Sequence, residues 1–443
     1  MRYALLLIVT AAAVRAEDLS ARDAVLRALS GSPSIAAEAA GVKGAGAKVD
    51  EARSTLLPQV NYIEQWQRSN NPVFVFGSLL DQRQFAARNF DLEFLNHPPF
   101  LDNFQSLVTA EQIVYDRGRR ARIKAAELGQ SASTEEARGT QMSVIGEVLR
   151  AYYSALLAKS NVEAADDAVK SAEADLKRAQ DRRDAGFTTD ADVLSIQVHV
   201  SAMHERQIAR RGELDLAMAS LNTAMGVPMD TQFALVTGLS AVTVDAKAGA
   251  EIEKEAAENR PETRAARIAT EIRDQQSREA RAAFVPQVFV RGGFEADRQK
   301  FGADGGANWV VSAGLRWNLF NGFADKARVA QASHEAERSR AMARETSNAA
   351  QLNARAAWLA LRTATERIEV AKAATAMAEE SLRIIRNRYD AGLTEVTELL
   401  RAENALLDAR TRSLEAIASQ RIAAVAVESA RGTLSKDSVV VTQ

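Results

Sequence analysis

The residues best equipped for chemistry are the four histidines, His97, His199, His204 and His334. Two imidazoles on one helix share a metal ion when they stand four residues apart. His199 and His204 stand five apart and read as part of a solvated helix face. His97 and His334 have no local ligand partners. Gly41, Gly44 and Gly46 lack the lysine and serine of a phosphate loop, and they lie in a helical stretch rather than after a strand. No nucleophile-elbow pattern occurs. Cysteine is absent, which excludes disulfides, thiol chemistry and cysteine-ligated zinc. The expectation is a chain with no catalytic site, no metal and no cofactor.

The residues that do form a pattern lie in two turns. Arg-x-x-x-Gly-x-Thr-x-x-x-(Asp/Glu)-(Val/Leu)-Leu runs from Arg182 to Leu194 and again from Arg388 to Leu400. Gly186 and Gly392 suit the left-handed residue that ends a helix. Thr188 or Thr189 in the first copy, and Thr394 in the second, suit the N-cap of the next helix. Asp192, three residues after Thr189, would complete a capping box. Capping alone does not require the arginine.

These turns belong to a larger repeat. Leu57-Pro58-Gln59-Val60 returns as Val285-Pro286-Gln287-Val288, and the turn returns at an offset of 206, as do Tyr152 with Trp358 and Gly226 with Gly432. A repeat this long is a statement about architecture. The expected divisions are a signal peptide over 1–16, a first repeat over 17–245 and a second over 246–443. Arg2, the apolar run Tyr3–Val14 and the short residues ending at Ala16 form the signal pattern. Without a cysteine after the cleavage point, the lipid anchor of a lipoprotein is excluded. No later stretch approaches the roughly 20 apolar residues of a membrane helix.

Each half reads as short helix, strand, loop, strand, very long helix, tight turn, long helix. Pro33 and Pro261 each open a helix. Strands are expected near 57–67, 106–115, 285–294 and 309–319. In the last, Trp309, Val311, Ala313, Leu315, Trp317 and Leu319 share one face, opposite Val310, Ser312, Gly314, Arg316 and Asn318. Trp309 and Trp317 would stand about 26 Å apart, which matches the aromatic girdles of a lipid-facing band about 25 Å tall. A half-buried strand of a soluble sandwich is the alternative for that strand. The insertion that carries Asn71 to Pro99 reads as a long external loop. Four strands cannot close a barrel or leave open edges in lipid, so further copies are needed, and three would give twelve strands. The stretches 119–183 and 324–389 contain no proline, and each would run about 100 Å as one helix. Val193, Ile196, Val200 and Met203, then Leu399, Ala402, Leu406 and Ala409, follow a seven-residue repeat that packs as a coiled coil.

With these features the chain resembles the TolC-like outer membrane efflux proteins. The resemblance covers both halves and rests on the element order, the Leu-Pro-Gln-Val strand starts, the strand ends at Tyr115-Asp116 and Phe320-Asn321, and the paired turns. It implies a mostly α fold with a β-barrel portion. A homotrimer would form a 12-stranded outer-membrane barrel continued by a 12-helix periplasmic α-barrel. It implies a passive channel-tunnel of tripartite efflux or type I secretion, embedded in outer-membrane lipid and extending into the periplasm. Its partners would be a periplasmic adaptor and an inner-membrane pump such as an RND or ABC transporter. Arg182, Gly186, Thr188, Arg388, Gly392 and Thr394 would contact the adaptor. Asp184 and Tyr389 match gate tethers. The arginine that completes that network in some relatives falls at Thr394. Glu398 falls at an acidic ring, and Arg401 replaces a second one, so cation preference does not carry over. A soluble periplasmic coiled-coil adaptor or scaffold is the alternative from another class. Balanced charge, 56 basic against 58 acidic residues, offers no stripe for nucleic acid.

Overall fold

The computed structural model describes residues 17–243 and 249–442. The expected signal peptide, 1–16, and the expected repeat boundary at 245/246 lie outside the described residues. The chain runs β1 (Glu17–Leu19), α1 (Ala21–Gly31), α2 (Pro33–Ser54), β2 (Gln59–Ser69), α3 (Pro72–Asp81), a 3-10 turn (Ala87–Phe90), α4 (Leu92–Asn96), β3 (Leu101–Tyr115) and α5 (Arg117–Asp184). It continues as α6 (Asp190–Met225), β4 (Phe233–Leu235), α7 (Gly249–Asn259), α8 (Pro261–Ala282), β5 (Gln287–Arg298), β6 (Gly306–Arg316), α9 (Ala324–Asp390), α10 (Val396–Arg431) and α11 (Val439–Thr442). The repeat is plain in the lengths. α2 and α8 each have 22 residues, α5 and α9 have 68 and 67, and α6 and α10 have 36 each. Proline at the first turn of α2 and α8 opens both helices where expected.

The chain divides into two compact units. The first comprises 17–40, 134–265 and 344–442 of the described residues. Its larger core gathers Val148, Leu149, Tyr152, Tyr153, Leu221 and Met225 around Leu19 and the C-terminal Val440. β1 and β4 pair in parallel there, a contact too short to announce itself in the sequence. Tyr152 donates to the Leu19 carbonyl at 2.9 Å, and Tyr153 to the Val440 carbonyl at 2.7 Å. A second core holds the heptad residues Val193, Ile196, Val200, Met203, Leu399 and Ala402, all buried. α6 and α10 each end on a left-handed glycine, Gly226 and Gly432.

The second unit, 41–133 and 266–343, holds one antiparallel sheet in the order β2-β3-β5-β6. Residues paired across antiparallel strands share a face. The register therefore puts Val60, Tyr62, Trp66, Phe104, Val108, Phe294, Trp309, Val311 and Leu315 together. Asn61, Gln65, Asn103, Gln105, Thr109, Arg291, Asp297, Asn308, Ser312 and Arg316 lie on the other face. Most of the apolar set is exposed, with Trp309 at 78% and Val60 at 65%. Glu64, on that same face, is held by Ser106 and by Arg298 at 2.7 Å. Among the described residues, β2 and β6 are edges with no further strand.

Three expectations need correction. The last strand ends at Arg316, so Trp317 and Leu319 lie beyond it. Asn318 binds the Asp325 carboxylate at 2.9 Å, and Asn321 accepts from the Asp325 amide, which turns the chain into α9 early. β3 begins at Leu101 rather than near 106. The stretch read as a long external loop carries α3, the 3-10 turn and α4. Asn71 caps α3 by accepting from the Val73 and Phe74 amides, and Pro72 opens it.

Candidate functional site

The two turns are built alike. In the first, the Gly186 amide donates to the Arg183 carbonyl and the Phe187 amide to the Arg182 carbonyl, both at 2.8 Å. In the second, Gly392 donates to Tyr389 at 2.9 Å and Leu393 to Arg388 at 2.8 Å. Each pair satisfies helix-end carbonyls and needs a left-handed glycine, here with φ 78° and 72°. Phe187 and Leu393, the residues after these glycines, are 76% and 68% exposed.

The following caps differ. Thr189 is the N-cap of α6 in a full capping box with Asp192. Thr188 adds a 2.9 Å bond to the same carboxylate. Burial alone would raise the Asp192 carboxyl, but the hydrogen bonds from Thr189 and Thr188 hold it below its ordinary value. In the second copy Glu395, not Thr394, is the N-cap, and its side chain makes no capping bond. Thr189→Ala should therefore cost about 1 kcal/mol of helix stability and Thr394→Ala almost nothing. Thermal unfolding of the two variants checks this, and equal losses would contradict it.

The arginine that capping did not require has a role in the first copy. Arg182 Nη1 donates to the Asp390 carbonyl at 2.5 Å, at the C-terminus of α9. Its guanidinium also lies 5.5 Å from the centre of the Tyr389 ring. A cation at a helix C-terminus meets both an orphan carbonyl and the negative end of the dipole. Arg388, its counterpart, is exposed, and its side chain makes no hydrogen bond or ion pair among the described residues.

The expected gate residues are placed as follows. Tyr389 is 8% exposed and packs in the second core, with its hydroxyl buried beside Thr188. Asp184 is exposed and binds Arg183 at 2.7 Å. No hydrogen bond joins Asp184 to Tyr389 within one chain. Glu398 and Arg401 pair with each other at 2.7 Å on the surface, which neutralises the position of the expected acidic ring. Trp309 stands on the apolar face of the sheet, while Trp317 donates from Nε1 to the Phe284 carbonyl at 3.2 Å.

One group of residues escaped the sequence reading. His199 is 8% exposed, not part of a solvated face, and its Nε2 lies 3.1 Å from Glu403. His204 is half-exposed and pairs with Glu173 at 3.3 Å. Asp175 and Arg386 complete the buried group. The available signal was position: His199 and Glu403 flank the heptad core at g and e, where charged residues join neighbouring helices.

Known proteins share the fold that carries these residues. The family model described as "Outer membrane efflux protein" matches residues 24–227 and 253–433. Protein CyaE of Bordetella pertussis is 28% identical over 429 residues, covering 96% of this chain and 86% of that protein. The outer membrane channel CmeC of Campylobacter jejuni superposes with a TM-score of 0.77 at 16% identity, covering 94% of this chain and 87% of that one. The outer membrane protein VceC of Vibrio cholerae gives a TM-score of 0.76 at 18% identity, covering 93% and 96%. The chain belongs to the outer membrane efflux protein family and is an outer-membrane channel-tunnel for efflux or secretion.

Proposed function

We propose that three copies of the chain close one twelve-stranded barrel and one periplasmic helical tunnel, open to passive export and gated at the paired turns. The observation that carries this reading is the four-stranded sheet. It has an exposed apolar face, a polar face and two unpaired edges. In hydrocarbon an open edge leaves unsatisfied amides and carbonyls, so the edges β2 and β6 call for matching edges from other copies. Each half of the repeat supplies one long helix and two shorter ones, which gives the tunnel a pseudo-sixfold wall.

An inner-membrane pump supplies energy, and a periplasmic adaptor meets the turns. The exposed Phe187 and Leu393, with Gly186 and Gly392 in open space beside them, support a docking role there. The gate is held by Tyr389 with Arg182 over its ring and by Asp184, with Glu398 and Arg401 at the entrance. Adaptor binding favours the open form only so far as it binds that form more tightly.

The test is single-channel conductance of the detergent-purified oligomer in a planar bilayer, with its mass measured alongside. A trimer that gives small, flickering currents is expected. A protein that stays soluble without detergent and forms no channels would sink the reading in favour of a periplasmic scaffold.

A further inference from the structure

Four ionisable side chains meet inside the packed hairpins of the first unit, one from each helix. Asp175 comes from α5, His199 from α6, Arg386 from α9 and Glu403 from α10. Asp175, His199 and Glu403 are buried, at 3%, 8% and 9% exposure. Arg386 Nη2 faces the Asp175 carboxylate at 3.0 Å, the Glu403 carboxylate at 2.9 Å and the Ser171 hydroxyl at 3.0 Å. His199 faces the other oxygen of Glu403 at 3.1 Å. Arg178, on the same helix as Asp175, pairs with its remaining oxygen. Tyr389, one turn along α9 from Arg386, also acts electrostatically on this group.

The cluster ties the first hairpin to the second, and it occurs once. The positions 206 residues away are Ser381, Ala405, Gln180 and Gln197, all uncharged. The repeat therefore carries a charged lock at only one of its two equivalent hairpin contacts.

We infer that Arg386 is the positioning residue of the tip, holding the two hairpins of a protomer together through a cluster whose grip depends on one exchangeable proton. This rests on the tip-gated duct proposed above. Removing two carboxylates from water is costly, and the shared Arg386 with the half-exposed Arg178 beside Asp175 offsets that cost only in part. Burial, then the hydrogen bonding and charge of Glu403, push the Asp175 carboxyl up to about 7. Burial would raise Glu403 as well, but hydrogen bonds from His199 and Asp175 and the charges of His199 and Arg386 bring it to about 2. The carboxylate pair therefore holds a proton more tightly than either carboxyl would in water, with the rise falling on Asp175.

The sign follows from linkage. Packed hairpins bind that proton more tightly than separated ones, so acid favours packing, and the gain is lost as pH rises through about 7. The Glu403 contribution is present above its ordinary value and is lost only towards pH 2, outside the relevant range. Between about pH 6 and about pH 8, one proton changes the ratio of packed to loosened tips about tenfold.

The test compares the purified parent with Asp175→Asn, which mimics the protonated acid, in planar bilayers across that range. The parent's open probability should rise about tenfold from about pH 6 to about pH 8. The variant should stay at the parent's low, acid-side level throughout. Because the chain has no cysteine, a spin label at Leu393→Cys reports the distance between tips independently. That distance should lengthen with pH in the parent background and stay fixed with Asp175→Asn. A parent trimer that conducts without pH dependence, or a variant that keeps the parent's profile in both readouts, overturns the inference and leaves the duct intact. A trimer that forms no channel removes the duct reading itself.

Discussion

A chain carrying Asp184→Ala and Tyr389→Ala is expected to spend about tenfold more time open than its parent, the equivalent of about 1.4 kcal/mol lost from the closed tip. Most of the effect should come from Tyr389. Its ring is 8% exposed in the core that joins the hairpins, and Arg182 lies over it at 5.5 Å. Truncating a buried aromatic removes several kcal/mol of packing, most of it lost from closed and open tips alike, and the cation over its face is worth about 0.5–1 kcal/mol of what differs. Arg182 would keep its bond to the Asp390 carbonyl but lose the surface that orients it. Asp184 contributes less, since its exposed pair with Arg183 is screened by solvent. Tyr389→Phe separates ring from hydroxyl. It should conduct nearly as the parent does if ring packing closes the tip. Conductance equal to that of the double variant would instead make the hydroxyl, which lies beside Thr188, a contact that closes the tip. Unchanged currents in a folded double variant would remove these residues from the gate.

Of the helix-ending glycines Gly226, Gly392 and Gly432, Gly432→Ala should be the most destabilising exchange, at about 2–5 kcal/mol. Gly432 has φ 75°, and an added Cβ would meet the Asn259 carbonyl and Arg260 amide at 2.7 Å. Neither is a flexible side chain that can swing away. Gly226, its counterpart in the repeat, shares the φ but would place a Cβ 3.2 Å from the Gly31 carbonyl, a contact that a small shift relieves. Gly392 has φ 72° with nothing within 4 Å, so its alanine variant bears only the conformational penalty of about 1–2 kcal/mol. Thermal unfolding of the three variants should rank them 432, then 226, then 392. A reversal of the first and last would mean that backbone contact is not what sets the cost.

Much of the architecture could be read because it is periodic. The heptads of α6 and α10 and the alternation of β5 and β6 come from local spacing, and Pro33 and Pro261 mark helix starts that the structure reproduces. Asn71-Pro72 was an equally legible start, but it lay inside a stretch read as loop. Trp317 followed the alternation of its strand in sequence and left it in space, because Asn318 and Asn321 engage Asp325. The paired turns were legible as turns; the asymmetry between Arg182 and Arg388 was not, since it depends on which helix end lies opposite. The charged cluster was hidden for the same reason. Asp175, His199, Arg386 and Glu403 are each unremarkable on their own helices, and only the packing of all four brings them within hydrogen-bond distance.

The unpaired edges of the four-stranded sheet bear on genetics as well as on structure. Under the proposed threefold closure, each copy depends on both neighbours for its outer strands. A chain with a broken β2 or β6 edge would therefore spoil assemblies in which its partners are sound. When such chains are coexpressed with intact ones, functional channels should fall as about the cube of the intact fraction. Alleles of this kind would be dominant, while those that only prevent folding would be recessive.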